Sequence, residues 1–243
     1  MRTNLKLYER EAELSERSQQ NHLLEKLLAL RSARDDFAAS LTVVSVHINQ
    51  VLYQEGDDIQ YVYFPLDAVV SVLGITDDGT TVETAMVGCE GLLGISAILN
   101  GGHHKRWGWV TIDGKAARVD AKLLEKLFLE DEAALRLLLG YYRSLMTQVT
   151  QRCICNTRHT ILERLSCWLL MIHDRAGSDD LRITQEMMAS RVSARRAGIT
   201  VAAGALQEMG AIECRRGKLQ ILNREALETV VCECYSALRL SGA

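Results

Sequence analysis

Arg195 and Arg196 stand side by side, with Thr200 one helical turn further on. They head a segment rich in small residues: Ala197, Gly198, Ala202, Ala203 and Gly204. Guanidinium forks pair bidentately with guanine edges, and a helix that carries them in its first turn suits the DNA major groove. Arg215, Arg216 and Lys218 follow around Gly217, a cationic cluster fit for phosphate contacts that position without specifying. Residues 182–224 hold eight basic and three acidic side chains, a local charge of +5 inside a chain of net charge −3. Residues 1–181 carry −6 and the tail from 225 carries −2. A short basic run is ordinarily a solvated face. Here it coincides with a local order of elements that makes duplex DNA the expected partner.

The remaining reactive side chains point to less. Seven cysteines, at 89, 153, 155, 167, 214, 232 and 234, include the close pairs Cys153/Cys155 and Cys232/Cys234. An odd number of thiols without an export signal reads as reduced free cysteines, and neither pair has the CxxC spacing of zinc or iron–sulfur sites. No metal or cofactor is expected. His103 and His104 lie in the loop NGGHHKRW and offer an axial ligand for haem, but loop histidines are ordinarily solvated, and haem is not expected either. There is no G-x-S-x-G, P-loop, HExxH or H-x-H with a spaced glutamate, so enzyme chemistry is not expected. The start MRTNLKLYEREAELSER lacks the apolar core of a signal peptide, and no apolar run is long enough to span a bilayer. A cytoplasmic protein with no membrane association is expected.

Three patterns of elements position these groups. Leucines at helical spacing in 5–30 predict one or two amphipathic helices. From about residue 41 the period falls to two. LTVVSVHI, QVLYQEGD, YVYFPLDAVVSVLGI, TTVETAMVG, WGWVTIDG and KAARV alternate with turn signals at Gly56, Gly79 and Gly114, which predicts an antiparallel roll. The segment 88–102 interrupts them as a loop with a short helix. Residues 121–156 then read as one long helix. Phe128, Leu135, Tyr142 and Val149 recur every seven residues, with Leu138 or Leu139 and Leu145 or Met146 between them. The dimer seam is assigned to Phe128, Leu135, Leu138, Tyr142, Leu145 and Val149. A second apolar helix ends at Gly177. Thr184 caps a helix that begins at Gln185, a turn at 192–194 leads to the Arg195–Arg196 helix, and a hairpin turns at Arg216-Gly217-Lys218. This is the order of a winged helix-turn-helix, and the fold class is α+β. The expected domains are an extension (1–20), a sensor roll (21–120), a dimerisation helix (121–156) and a winged helix (157–243).

ITQEMMASRV, RRAGITVAAGALQEMGAI and CRRGKLQILNREALE, with QVLYQEGD, VYFPLDAVVSVL and VGCEGLLGISAIL earlier, resemble the Crp/Fnr family of bacterial transcription regulators. The resemblance runs from about Asn21 to Tyr235. It implies a homodimer on a palindromic operator and a cyclic-nucleotide-binding-type roll. It also implies base reading by Arg196 with Arg195, Ala197 and Thr200 beside it, and backbone contacts from Thr184 and Gln185. The departures are Ser193 where the family has glycine and Ala197-Gly198 where Pro-Ser is common. In the roll, Gly91, Gly94, Ser96 and Arg106 are the candidate effector residues. Ile95 and Ser96 stand where the family's ribose-binding glutamate would be, and Trp107 and Gly108 follow Arg106, so cyclic nucleotide is not expected. Another small effector, or none, fits better. The acidic N-terminal part offers a surface for RNA polymerase. The alternative is a dimeric ligand-binding module whose winged helix contacts protein.

Overall fold

The structure is a computed structural model that describes residues 20–30, 36–99 and 106–240. The extension before Gln20, and the loop histidines His103 and His104, lie outside the described residues. The alternating Val/Ile/Tyr runs form two facing antiparallel sheets. One has the order β1 (Thr42–Val46), β7 (Gly114–Asp120), β3 (Tyr61–Pro65). The other runs β2 (Val51–Tyr53), β6 (Trp107–Ile112), β4 (Val69–Ile75), β5 (Thr81–Val87). Val46, Val70, Ala85 and Val110 fill the space between them. Pro65 closes β3, which pairs with β7 along its length and on its other side only through a bridge from Tyr63 to Leu93, so the missing N–H at Pro65 costs the ladder little. Between β4 and β5 the chain reverses at Gly79, whose φ of +80° needs glycine, while the Asp78 carboxylate accepts hydrogen bonds from the Thr76 hydroxyl and the Thr80 amide.

Helix α1 (His22–Leu28) starts at the wholly buried Asn21. The Asn21 side chain accepts from the Leu24 amide and donates to the carbonyls of Pro65 and Gly91, which pins the helix to the roll. A short α2 (Asp36–Ser40) precedes β1, and α3 (Ile95–Ile98) sits in the expected interruption of the sheet pattern.

The single long helix of the sequence reading is two helices, α4 (Ala121–Glu130) and α5 (Glu132–Arg158). Asp131 between them is extended, at φ −124° and ψ 112°, and its carboxylate accepts from the Ala134 amide as the N-cap of α5. An aspartate that can cap a new helix competes with helix continuation, and a heptad count does not register that competition. The break also corrects the seam. Phe128 is on α4 and buried, Leu138 is 1% exposed, and both belong to the subunit's own core.

The C-terminal part follows the expected order. Helix α6 (Ile161–Ala176) opens on a capping box between Thr160 and Glu163 and ends at Gly177. Then come β8 (Asp180–Leu181), α7 (Gln185–Arg191), α8 (Arg196–Glu208), β9 (Ile212–Arg215), β10 (Lys218–Ile221), α9 (Arg224–Val230) and α10 (Cys234–Leu238). Strand β8 joins the hairpin as a third strand that the sequence reading did not contain. Trp168, Leu169, Ile199, Leu206 and Leu219 form the core, which continues into the roll through Val69 and Met86.

Candidate nucleic-acid interface

Thr184 caps α7 by accepting from the Met187 amide at 3.1 Å. Ser193 carries the tight turn between α7 and α8 at φ +52°, a left-handed conformation that serine adopts at some cost where glycine would not. Gln185 Oε1 accepts from the Thr200 hydroxyl at 3.2 Å, which ties the first turn of α7 to the second turn of α8. Helix α8 buries Ile199, Ala202, Ala203 and Leu206 and turns Arg196, Ala197, Thr200 and Val201 outward. Gly198 lets it approach α6 closely, since a Cβ there would lie 2.5 Å from Ile161 Cδ1. Arg195, in the cap position, is exposed as well.

One cleft of about 340 Å³ is lined by Thr184, Gln185, Arg196, Arg215, Arg216 and Lys218 among others. The structure thus brings the first turn of α7, the start of α8 and the hairpin tip onto a single concave face. Arg215 pairs with Glu213 at 3.1 Å. Among the described residues, Arg195, Arg196, Arg216 and Lys218 make no ion pair, so their charge faces outward uncompensated. Val201 is 75% exposed on the same helix face. The sequence reading omitted it, although its place one turn beyond Ala197 marks it. An exposed apolar side chain there suits a thymine methyl group.

The effector candidates lie in the segment that runs into α3 and just ahead of β6. Gly91 packs beneath the Tyr141 ring, where an added Cβ would lie 1.9 Å from Cε2, and Tyr141 donates its hydroxyl hydrogen to Leu92 O at 2.8 Å. Gly94, at φ +95°, precedes α3, Ser96 is half-buried within α3, and Arg106 is exposed just before β6. In the interior, Tyr53 and Leu93 close against Gly108. Burial holds the Tyr53 phenol above its ordinary pKa, while the charge of Arg106 acts in the opposite direction. A larger cleft of about 420 Å³ lies elsewhere, between α1, α5 and the segment after α10, with Lys26, Arg136, Arg143 and Arg175 in its wall.

The sequence reading also missed a buried charge cluster. Glu83 on β5, 1% exposed, accepts from Trp168 Nε1 at 3.1 Å and from the Ser71 hydroxyl. Arg152 Nη2 of α5 lies 3.3 Å from it, and Arg191 Nε at the end of α7 lies 3.8 Å away. Arg152 also donates to Arg191 O at 2.6 Å, and the hydroxyls of Thr81 and Ser190 are 2.6 Å apart. Burial pushes the Arg191 guanidinium below its ordinary pKa, and the Glu83 carboxylate opposes that shift. One roll carboxylate therefore fixes the helix that leads into the winged-helix turn.

A sheet roll, a long helix and a winged helix with an outward basic cleft define a DNA-binding regulator of two-domain build. Residues 43–131 match the family model of the cyclic nucleotide-binding domain, and residues 163–230 match that of the Crp-like helix-turn-helix domain. The chain belongs to the Crp/Fnr family of transcription regulators. A comparison with curated proteins gave no match. Among solved structures, FixK2 from Bradyrhizobium japonicum is 19% identical, with a TM-score of 0.67 over 79% of this chain and 98% of its own. A CRP-family transcriptional regulator from Thermus thermophilus is 16% identical, with a TM-score of 0.66 over 82% and 100%. The c-di-GMP-responsive global regulator CLP of Xanthomonas campestris is 14% identical, with a TM-score of 0.61 over 75% and 94%. At such identities the likeness is one of fold. No helix among the described residues is long and apolar enough to cross a membrane.

Proposed function

We propose that the protein is a homodimeric, sequence-specific transcription regulator that reads a palindromic operator with two copies of α8. The observation that carries this reading is the basic cleft formed by Arg196, the first turn of α7 and the hairpin tip. Arg196 reads base edges, Arg195, Ala197, Thr200 and Val201 border it, and Thr184, Gln185, Arg215, Arg216 and Lys218 hold the phosphates. Half-sites then lie about one helical turn, roughly 34 Å, apart. The roll biases the winged helix through the Glu83 cluster, and cyclic nucleotide is not its effector. In support, Ile95 and Ser96 occupy the turn where the family's ribose-binding glutamate would be, and Tyr53 and Leu93 occupy the interior.

Selection from a random pool of duplex DNA at two salt concentrations tests the reading. Recovery of a palindrome is expected. Absence of salt-dependent duplex binding would favour a winged helix that contacts protein. Arg196→Ala is expected to weaken operator binding by about 1–3 kcal/mol and relax preference at one base step, measured on matched and mismatched duplexes. Lys218→Ala should instead weaken binding to all sequences alike and reduce the slope of log K against log salt by about 1 per protomer. An unchanged slope would remove the hairpin tip from the interface.

A further inference from the structure

Residues far apart in sequence meet at the elbow between α5 and α6. Cys155 is on the last turns of α5, and His159 is the residue that ends it. Cys232 and Cys234 arrive from the junction of α9 and α10. The three sulfurs and a nitrogen of His159 all lie within 4.8 Å of one another. Cys155 Sγ is 3.6 Å from Cys232 Sγ, and Cys234 Sγ is 3.5 Å from His159 Nδ1. Zn–S bonds of about 2.3 Å and Zn–N bonds of about 2.0–2.1 Å, set tetrahedrally, put ligand atoms about 3.5–3.8 Å apart. Two of the edges already have that length.

The surroundings fit the same chemistry. The far ring nitrogen of His159, Nε2, lies 3.2 Å from Glu233 Oε1. This is the carboxylate–imidazole pairing that leaves Nδ1 free to bind and orients a ligating histidine. Gln151 Nε2 donates to Cys234 Sγ at 3.0 Å. Arg152 and Arg164 line one small crevice with Cys155 and Cys167, two cations near a site where a divalent ion held by three thiolates and a neutral imidazole would carry a single negative charge. Cys153, two positions before Cys155, is exposed.

We propose that Cys155, His159, Cys232 and Cys234 form a tetrahedral site for one zinc(II) ion, which clasps helix α10 to the elbow between the long helix and the winged helix. Sulfur-rich tetrahedral donor sets select zinc over harder divalent ions. A multi-iron cluster would hold its thiolates further apart than these four donors stand. Loading replaces up to three thiol protons by the metal, so binding releases protons and strengthens as pH rises. The proposal goes beyond DNA binding, and its test does not depend on it.

Full-length protein, reduced and stripped with a chelator, is titrated with cobalt(II) in the absence of oxygen, and zinc(II) is then added to displace it. One cobalt per chain is expected, with a thiolate charge-transfer band in the near ultraviolet and the intense visible bands of tetrahedral coordination. Cys232→Ser is expected to lower affinity at least about 100-fold and Glu233→Gln about 10-fold, while Cys153→Ser leaves it unchanged. Weak six-coordinate spectra, or equal affinity in Cys232→Ser, would overturn the site. Should Cys232→Ser fail to fold, wild-type alkylation decides. Zinc is expected to slow modification of Cys155, Cys232 and Cys234 but not of Cys153. Slowing of all four alike, or of none, overturns the proposal.

Discussion

Replacing Glu83 by Gln is expected to cost the folded chain about 3–5 kcal/mol, because it leaves two buried guanidiniums facing one another without their anion. Glu83, Arg152 and Arg191 are all less than 10% exposed, and the Nε atoms of both arginines are buried with no hydrogen-bond partner. The carboxylate is therefore the principal group that offsets two desolvated positive charges. Burial already depresses the Arg191 pKa, and the second guanidinium, that of Arg152, depresses it further. Without Glu83 both effects act unopposed. In a chain of this size the loss corresponds to a fall in melting temperature on the order of 10 °C. A cycle with Arg191→Met separates charge from shape. In the Glu83→Gln background that second change removes an unpaired cation, so its cost should be at least ~1 kcal/mol smaller than in wild type. Additive losses, or a Glu83→Gln loss below about 1 kcal/mol, would show that water reaches the cluster. Because Glu83 sits on β5 and Arg191 ends α7, Glu83→Gln also uncouples the roll from the helix that precedes α8. Operator affinity should then change even at temperatures where the variant remains folded.

The winged helix was legible because its signals are local. Thr184 caps its helix from three residues away, Gly177 and Gly210 end theirs, and Gly217 closes a hairpin in which Arg215 faces Lys218. The roll was legible for the same reason, through alternating strands and glycine turns. What escaped the sequence depends on distant partners. Glu83 reads as an ordinary polar position in the strand TTVETAMV, and nothing near it announces Trp168, Arg152 or Arg191. Cys155 and Cys232 read as unrelated thiols until α10 folds back on α5. The break at Asp131 escaped for a different reason. Phe128 and Leu135 keep a seven-residue spacing across it, and periodicity counts residues without registering a change of axis. Gly91 proves to be a packing glycine beneath Tyr141, a role that needs no ligand.

That seven-residue spacing, corrected by the structure, supports the second large effect. Along α5, Leu135, Leu139, Tyr142 and Met146 are 38%, 52%, 38% and 43% exposed, with Val149 half-buried beyond them. Their spacing alternates four and three, the a/d rhythm of a two-helix seam, over a helix of 27 residues or about 40 Å. Four large apolar side chains in one exposed stripe call for a partner surface. In the proposed dimer that partner is the same stripe of a second copy, with Leu139 and Met146 in the places first given to Leu138 and Leu145. The double variant Leu139→Asp/Met146→Asp should therefore sediment as a monomer. Both sites face outward within the subunit, so its melting temperature as a monomer should change little. Its operator affinity should fall about 10²–10⁴-fold, since each half-site must then be bound without the effective concentration that the second protomer supplies. Leu129→Asp, at a residue 80% exposed on the preceding helix and off the stripe, should leave both mass and affinity intact. A double variant that kept its dimeric mass would move the interface off α5. A monomer that kept full operator affinity would mean that one winged helix suffices, and the palindromic reading would fall with the dimer.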